Sequence, residues 1–281
     1  MSELNRFDEC FVYVIYGEQE RHYLEAQLSI ASLLFHNPNA KICLLVERDD
    51  LFDAHDQIRV IPFTKAMQNE WLGSDKYHFK LKLAGLKFLL ENHAKKVIFL
   101  DTDTLIRADI THLMDGVSNG SMLMHELEGT LKRKRFTRQY AAAIGKTFVS
   151  PTYGSWQVEH DAPMFNSGVI GITEAHVEHL DIALWMMPLL DELIDIHSAE
   201  QFALGIILSR HGTVCEAGNR QIYHYWHKKP RKYIFEQMKI LVSELNGSSL
   251  YHHPQRMASF KFRRPFNRWL QDKLTGKVPT N

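Results

Sequence analysis

Within the first 100 residues, short apolar runs alternate with segments whose apolar residues recur at helical spacing, and that alternation leaves few folds open. Residues 10–17, CFVYVIYG, are rich in β-branched and aromatic side chains and stop at Gly17, which predicts a strand. Residues 23–38 then place Leu24, Leu28, Ala31 and Phe35 on one helical face, and Asn37-Pro38 ends the helix. AKICLLVE (40–47) and QIRVIPF (57–63) predict two further strands, with Pro62 closing the second. Tyr77, Leu81, Ala84 and Phe88 predict a helix over 76–96, followed by the strand KVIFL at 96–100. Strands joined through helices pair in parallel by right-handed crossovers, and such sheets collect chemistry at the carboxyl ends of their strands. Later in the chain, MFNSGVIGI (164–172) predicts a strand and 177–196 a helix that continues through Pro188. Residues 131–138, LKRKRFTR, break the pattern with five basic side chains in eight.

One strand ends in two like charges. KVIFL runs directly into Asp101-Thr102-Asp103, and Leu105 resumes the apolar character. Two carboxylates this close repel unless positive charge lies between them. A divalent cation is the simplest such partner, and hard oxygen ligands suit Mn²⁺ or Mg²⁺. A metal so held neutralises a diphosphate as it leaves. The competing reading is a solvated turn in which one aspartate caps a helix.

The segment KVIFLDTDTLIRADITHLMD resembles the Asp-x-Asp region of glycosyltransferase family 8, which includes glycogenin and bacterial lipopolysaccharide galactosyltransferases. Matching segments follow in the family's order over roughly residues 10–232. The resemblance implies a three-layer α/β/α fold of the GT-A type with a mainly parallel central sheet. It implies Mn²⁺ bound by Asp101 and Asp103, with Asp101 also touching the ribose of a nucleotide sugar. HFKLKLAGLKF resembles the helix that offers a basic side chain to the donor sugar; Lys80 is the matching position and Lys82 its competitor. MFNSGVIGI resembles the Phe-Asn-Ala/Ser-Gly-Val strand that brings an asparagine, here Asn166, to the donor. HSAEQFALGIIL resembles the Asp-Gln pair ahead of an apolar helix, which puts Gln201 near the anomeric carbon and Glu200 in a hydroxyl-binding role. Glu200 is one methylene longer than the aspartate of the pattern.

IYHYWHKKPRKY (222–233) resembles the family's His, Gly and Lys-Pro motif, making His224 the third metal ligand and Lys229 a phosphate contact. Trp226-His227 stands where a glycine is expected and the spacing is one residue shorter, so His227 competes for the metal. After the first strand, IYGEQERHY offers Tyr16 to stack on a base but lacks the family's aspartate, so a UDP donor follows from the resemblance alone. The implied activity is hexose transfer from a nucleotide sugar to a saccharide or lipid-linked acceptor, with retention of configuration. Two alternatives stand beside it. A non-catalytic relative would bind sugar nucleotides or carbohydrate without transfer. The haloacid-dehalogenase-like phosphatases also use Asp-x-Asp after an apolar strand, but here Leu105 takes the fifth place and no Gly-Asp-x-x-x-Asp follows.

The 33 basic and 33 acidic side chains balance, so no global field suggests nucleic acid. The balance is uneven along the chain: residues 228–281 hold 12 Lys/Arg against 3 Asp/Glu. Within them, RMASFKFRRPFNRWLQDKL interleaves basic residues with Phe260, Phe262, Phe266 and Trp269. That composition predicts a tail, 248–281, that follows a catalytic domain at 1–247 and either packs on it or meets an anionic membrane. Three scattered cysteines, an N-terminus without a signal-peptide pattern and the lack of a long apolar run predict a cytoplasmic protein.

Overall fold

The computed structural model describes residues 6–73, 77–194 and 198–263. The expected alternation opens it: β1 (Phe7–Ile15), α1 (Glu20–His36), β2 (Ile42–Val46), β3 (Ile58–Pro62), a short α2 (Lys65–Leu72), α3 (Lys80–Asn92) and β4 (Ala94–Leu100). Beyond the two aspartates come β5 (Thr104–Ile106), α4 (His112–Gly116), β6 (Ser121–Thr130), α5 (Lys134–Gln139) and a hairpin of β7 (Thr147–Ser150) with β8 (Gly154–Gln157). The chain continues through β9 (Pro163–Thr173), α6 (Val177–Ile194), α7 (Ala199–His211), β10 (Thr213–Glu216), β11 (Ile222–His224) and α8 (Lys228–Ser243).

Seven strands form the central sheet in the order β10-β6-β9-β4-β1-β2-β3. β2, β1 and β4 run parallel, with helices in the crossovers that join β1 to β2 and β3 to β4, and β3 runs parallel beside β2 after a loop that holds one 3-10 turn at Asp49–Leu51. β9 runs antiparallel to both β4 and β6. This reversal matters for the site. It brings the early residues of β9 alongside the carboxyl end of β4, where Leu100 pairs with Val169.

Both faces of the sheet are covered, which explains why β1 reads as a continuous apolar run. Cys10, Val12 and Val14 face a core shared with α3, α6 and α7, while Phe11, Tyr13 and Ile15 face α1 and α8. Fully burying such a side chain contributes about 1.5–3 kcal/mol. α1 is enclosed almost all round: residues Glu25 to Leu34 are buried without a break, although Phe35 on its expected inner face is exposed. No described helix is long and apolar enough to cross a membrane.

The expected domain boundary at residue 247 does not coincide with the end of packing. Leu250 and Tyr251 are fully buried against the α1 side of the sheet. The Tyr251 hydroxyl donates to the Asp53 carbonyl at 2.8 Å, and the Leu250 N–H donates to Gln27 Oε1 at 3.1 Å. Phe260 and Phe262 pack on the same core, with the Arg107 guanidinium 4.7 Å above the Phe262 ring. Two of the four aromatics on which a membrane-facing tail was predicated are therefore occupied by the domain itself. Phe266 and Trp269 lie outside the described residues.

Tyr251→Ala should lower stability by about 3–5 kcal/mol, the usual cost of emptying a buried aromatic site. Tyr251→Phe, which removes only the hydroxyl contact, should cost about 1 kcal/mol. Urea denaturation followed by circular dichroism reads both; an unchanged midpoint for Tyr251→Ala would mean that residues beyond 247 do not belong to the folding unit.

Candidate active site and metal centre

A buried chain of hydroxyls positions the two aspartates. Tyr13 on β1 bonds Ser29 on α1 at 2.9 Å, and Ser29 bonds Thr104 at 2.8 Å. Thr104 Oγ1 then donates to the Asp101 carbonyl at 2.7 Å. From the other side, the Asp101 N–H donates to the Gly168 carbonyl of β9 at 2.9 Å. β4 thus stops in a tight turn that aims both carboxylates into one cleft of about 880 Å³. That volume is within the range of small-molecule sites.

The third group arrives on a ribbon. β11 pairs antiparallel with β5, His224 opposite Thr104, and the Tyr225 N–H donates to the Asp103 carbonyl at 3.0 Å. His224 Nε2 consequently lies 3.1 Å from Asp103 Oδ1 and 3.7 Å from Asp101 Oδ2. Its other nitrogen, Nδ1, lies 3.0 Å from Asn166 Oδ1, an oxygen that already accepts from the Gly168 N–H at 2.9 Å. Nδ1 therefore donates to Asn166, and a cation placed between the aspartates would meet Nε2 through its lone pair. Only glycine fits beneath the ring: a Cβ at Gly168 would sit 2.3 Å from His224 Nδ1. One ligand atom each from Asp101, Asp103 and His224 lie within 4.8 Å of one another, a donor set of two carboxylates and an imidazole that suits Mn²⁺.

Two cations hold the surrounding acids. Lys82 Nζ lies 3.2 Å from Asp101 and 3.3 Å from Glu200, and donates to the Ser167 carbonyl at 2.8 Å. Glu200 is wholly buried at the start of α7 and accepts from Ser167 Oγ at 3.1 Å; burial pushes its carboxyl up while Lys82 pulls against that. Arg231 on α8 places Nε and Nη2 on the Glu25 carboxylate at 2.7 and 2.5 Å, and Nη1 3.0 Å from Asp103. Burial opposes ionisation of Asp103, but the hydrogen bond and charge of His224, together with Arg231, outweigh it and hold the carboxyl down at about 2. Glu25, Asp101, Asp103 and Glu200 face the fixed cations Lys82, Arg231 and, 3.9 Å from Glu25, Arg21, so acids outnumber fixed cations by one in this connected network.

Tyr16, Asp101, Asp103, Asn166, Glu200, Gln201 and His224 all line this cleft. Two expected donor contacts fall elsewhere. Lys80 points along α3 toward the Leu72 carbonyl and lines a separate small groove with Trp71 and Phe88, whereas Lys82 enters the cleft. Residues two apart on a helix point to nearly opposite sides, so only one of the pair can reach. The same geometry applies on α8. Lys229 is exposed and does not line the cleft, and Arg231 does. His227 is exposed and stacks on Trp226 at 3.7 Å between centroids, so the imidazole beside the aspartates is His224. Arg231 and Glu25 escaped the sequence reading. A charged residue within an otherwise buried helix was the available signal, and it becomes legible only once α1 is seen to be enclosed on every side.

No family model and no curated protein sequence matches this chain. Solved structures do. Galactosyltransferase LgtC in complex with donor and acceptor sugar analogues superposes with a TM-score of 0.53 at 16% identity, over 83% of this chain and 95% of that one. An active-site mutant of LgtC matches to the same extent. The chain therefore has the GT-A glycosyltransferase fold, with its seven-stranded, mostly parallel sheet between helical layers.

Two substitutions test this architecture. Gly168→Ala should push the His224 ring off Asn166 and weaken Mn²⁺ binding about 10- to 100-fold, the usual cost of losing support behind a ligand. Calorimetric titration with Mn²⁺ measures this, and unchanged affinity would remove His224 from the donor set. Arg231→Met should destabilise the fold by about 3–5 kcal/mol because Glu25 is left buried without its cation. Adding Glu25→Leu should recover most of that loss in urea denaturation; simple additivity of the two losses would refute the coupling.

Proposed function

We propose that this protein is a metal-dependent glycosyltransferase that moves a hexose from a nucleotide sugar, UDP-linked by resemblance, to a saccharide or glycolipid acceptor with retention of configuration. The observation that carries the reading is the convergence of Asp101, Asp103 and His224 at the strand-end cleft of a GT-A fold. The fold's neighbour was crystallised with donor and acceptor sugar analogues, which supports the same two substrate classes here.

In this reading Asp101, Asp103 and His224 hold Mn²⁺ or Mg²⁺, and the ion supplies charge that stabilises the departing diphosphate. Asn166 keeps His224 in the tautomer that offers Nε2. Lys82, rather than Lys80, locks Asp101 and Glu200 in place and faces the donor sugar. Arg231 takes the phosphate-facing role first given to Lys229, since a fixed positive charge near the leaving group matters most as negative charge develops there. Tyr16 lies at the β1 end of the cleft, where a base would stack. Gln201, on the first turn of α7 beside Glu200, is the side chain assigned to the anomeric carbon.

Purified protein should release UDP from a UDP-hexose in Mn²⁺ and not in EDTA. Asp103→Asn should lower that rate by a factor of about 100 or more while far-ultraviolet circular dichroism stays native. UDP binding to the variant should also lose its dependence on Mn²⁺. Full activity in Asp103→Asn, or equal activity with EDTA, would overturn the metal-dependent reading.

A further inference from the structure

The basic run at 132–138 takes no part in the site described so far. It is nevertheless a fixed part of the cleft. Leu131, Phe136 and Tyr140 are buried and fasten α5 to the core. Tyr140 packs against Phe202 with ring centroids 4.4 Å apart, and its hydroxyl bonds Ser198 at 2.5 Å, next to the start of α7 that carries Glu200 and Gln201. Thr137 Oγ1 donates to the Leu131 carbonyl at 2.5 Å. Buried Phe136 faces the core, and α5 places Arg135, Phe136 and Gln139 in the cleft wall, while Lys134 and Arg138 are exposed on the same helix just outside that lining.

Acidic partners answer only part of that charge. Lys132 pairs with Asp161 at 3.3 Å and Arg135 with Glu128 at 3.0 Å. Arg133 folds across Gly129, whose φ of +135° and missing Cβ make room for it, and donates to the Glu128 carbonyl. Lys134 and Arg138 are exposed and have no acidic partner among the described residues. They lie one helical turn apart, and Arg138 shares a face with Arg135, so the three form one surface.

Position in the fold says which substrate meets it. Tyr16, Gly17 and His22 follow β1 on one side of the candidate metal residues, over the parallel half of the sheet; α5 follows β6, two strands beyond β4 on the other side. A donor whose base lies at the β1 end and whose diphosphate meets the metal ligands leaves the α5 end for the acceptor. We propose, on the basis of the transferase reading, that the acceptor is an anionic saccharide whose carboxylate or phosphate is received by Lys134, Arg138 and Arg135. The wall here is mixed, with Ser198, Gln139, Gln201 and the Arg135-paired Glu128 beside Phe136 and Met164, and α5 exposes no apolar side chain of the kind a lipid surface would require.

Calorimetry in the presence of Mn²⁺ and UDP tests this with two matched pairs of probes: trigalacturonate against its neutral methyl ester, and 6-phosphomannobiose against mannobiose. At least one acidic probe should bind about tenfold tighter than its neutral partner, the gain from one charge-assisted contact. The preferred pair tells carboxylate from phosphate. The preference should shrink at high salt, fall in Lys134→Gln/Arg138→Gln and vanish in Lys134→Glu/Arg138→Glu, with native circular dichroism in each. Equal affinity within both pairs overturns the proposal, as does a preference that survives charge reversal. Uptake by vesicles of anionic lipid through the same two residues, with saccharides indifferent, also overturns it in favour of a lipid partner. Mn²⁺-dependent UDP binding by the native protein is read in the same experiment; its absence removes the transferase reading, while the paired probes still decide the charge preference.

Discussion

Four carboxylates crowd the end of β4, and the site is arranged so that each one faces a cation or an imidazole. Two unit charges about 4 Å apart interact by about 4 kcal/mol at the effective dielectric of a protein surface, and by more where water is excluded. Left alone, Asp101 and Asp103 would open their turn. Lys82 reaches Asp101 from α3, Arg231 reaches Asp103 from α8, and each cation is itself anchored by a second buried acid, Glu200 or Glu25. Helices from both faces of the sheet are thereby tied to one turn. The price of keeping so many charges out of water is tolerable only where they do work, which is why such a network marks a functional site more than a stabilising one.

The hydroxyl chain from Tyr13 through Ser29 and Thr104 does for the backbone what the ion pairs do for the side chains. It links β1, α1 and the aspartate turn without adding charge. His224 is held by different means: a three-residue strand sets its position, Asn166 its proton and Gly168 the space for its ring. Each of these supports comes from a different part of the chain, so the donor set exists only in the folded protein. The antiparallel course of β9 is what brings Asn166, Ser167 and Gly168 to the end of β4.

The same packing connects the aspartate end of the cleft with its outer end. Tyr140 and Ser198 join α5 to the first turn of α7, and Glu200 joins that turn to Lys82 and Asp101. A saccharide seated against α5 and a donor seated against the candidate metal ligands would therefore meet one connected frame. Preorganisation of this kind places reacting groups without further ordering at the moment of reaction.

Much of this was legible from residue order alone. Apolar runs of strand length, separated by helical periodicity, are a local signal, and β1 to β4 lie close to where they were expected. Asp101 and Asp103 were legible as like charges at the end of an apolar strand, whereas Asn166, Glu200, Gln201 and His224 came from the family resemblance; the cleft gathers all six. Lys80 against Lys82 could not be separated in the same way, and Arg231 was passed over for Lys229. Each choice depends on how a helix is rotated about its axis, and that rotation is set by the sheet and core it packs against. Glu25 was hidden for a related reason: it looks like an ordinary surface acid until α8 covers it and supplies Arg231. The sequence determined which strand would end in paired carboxylates and which chemistry they invite. Only the tertiary structure decided which cations answer them, because a charge finds its partner through space, across 206 residues of chain in the case of Glu25 and Arg231.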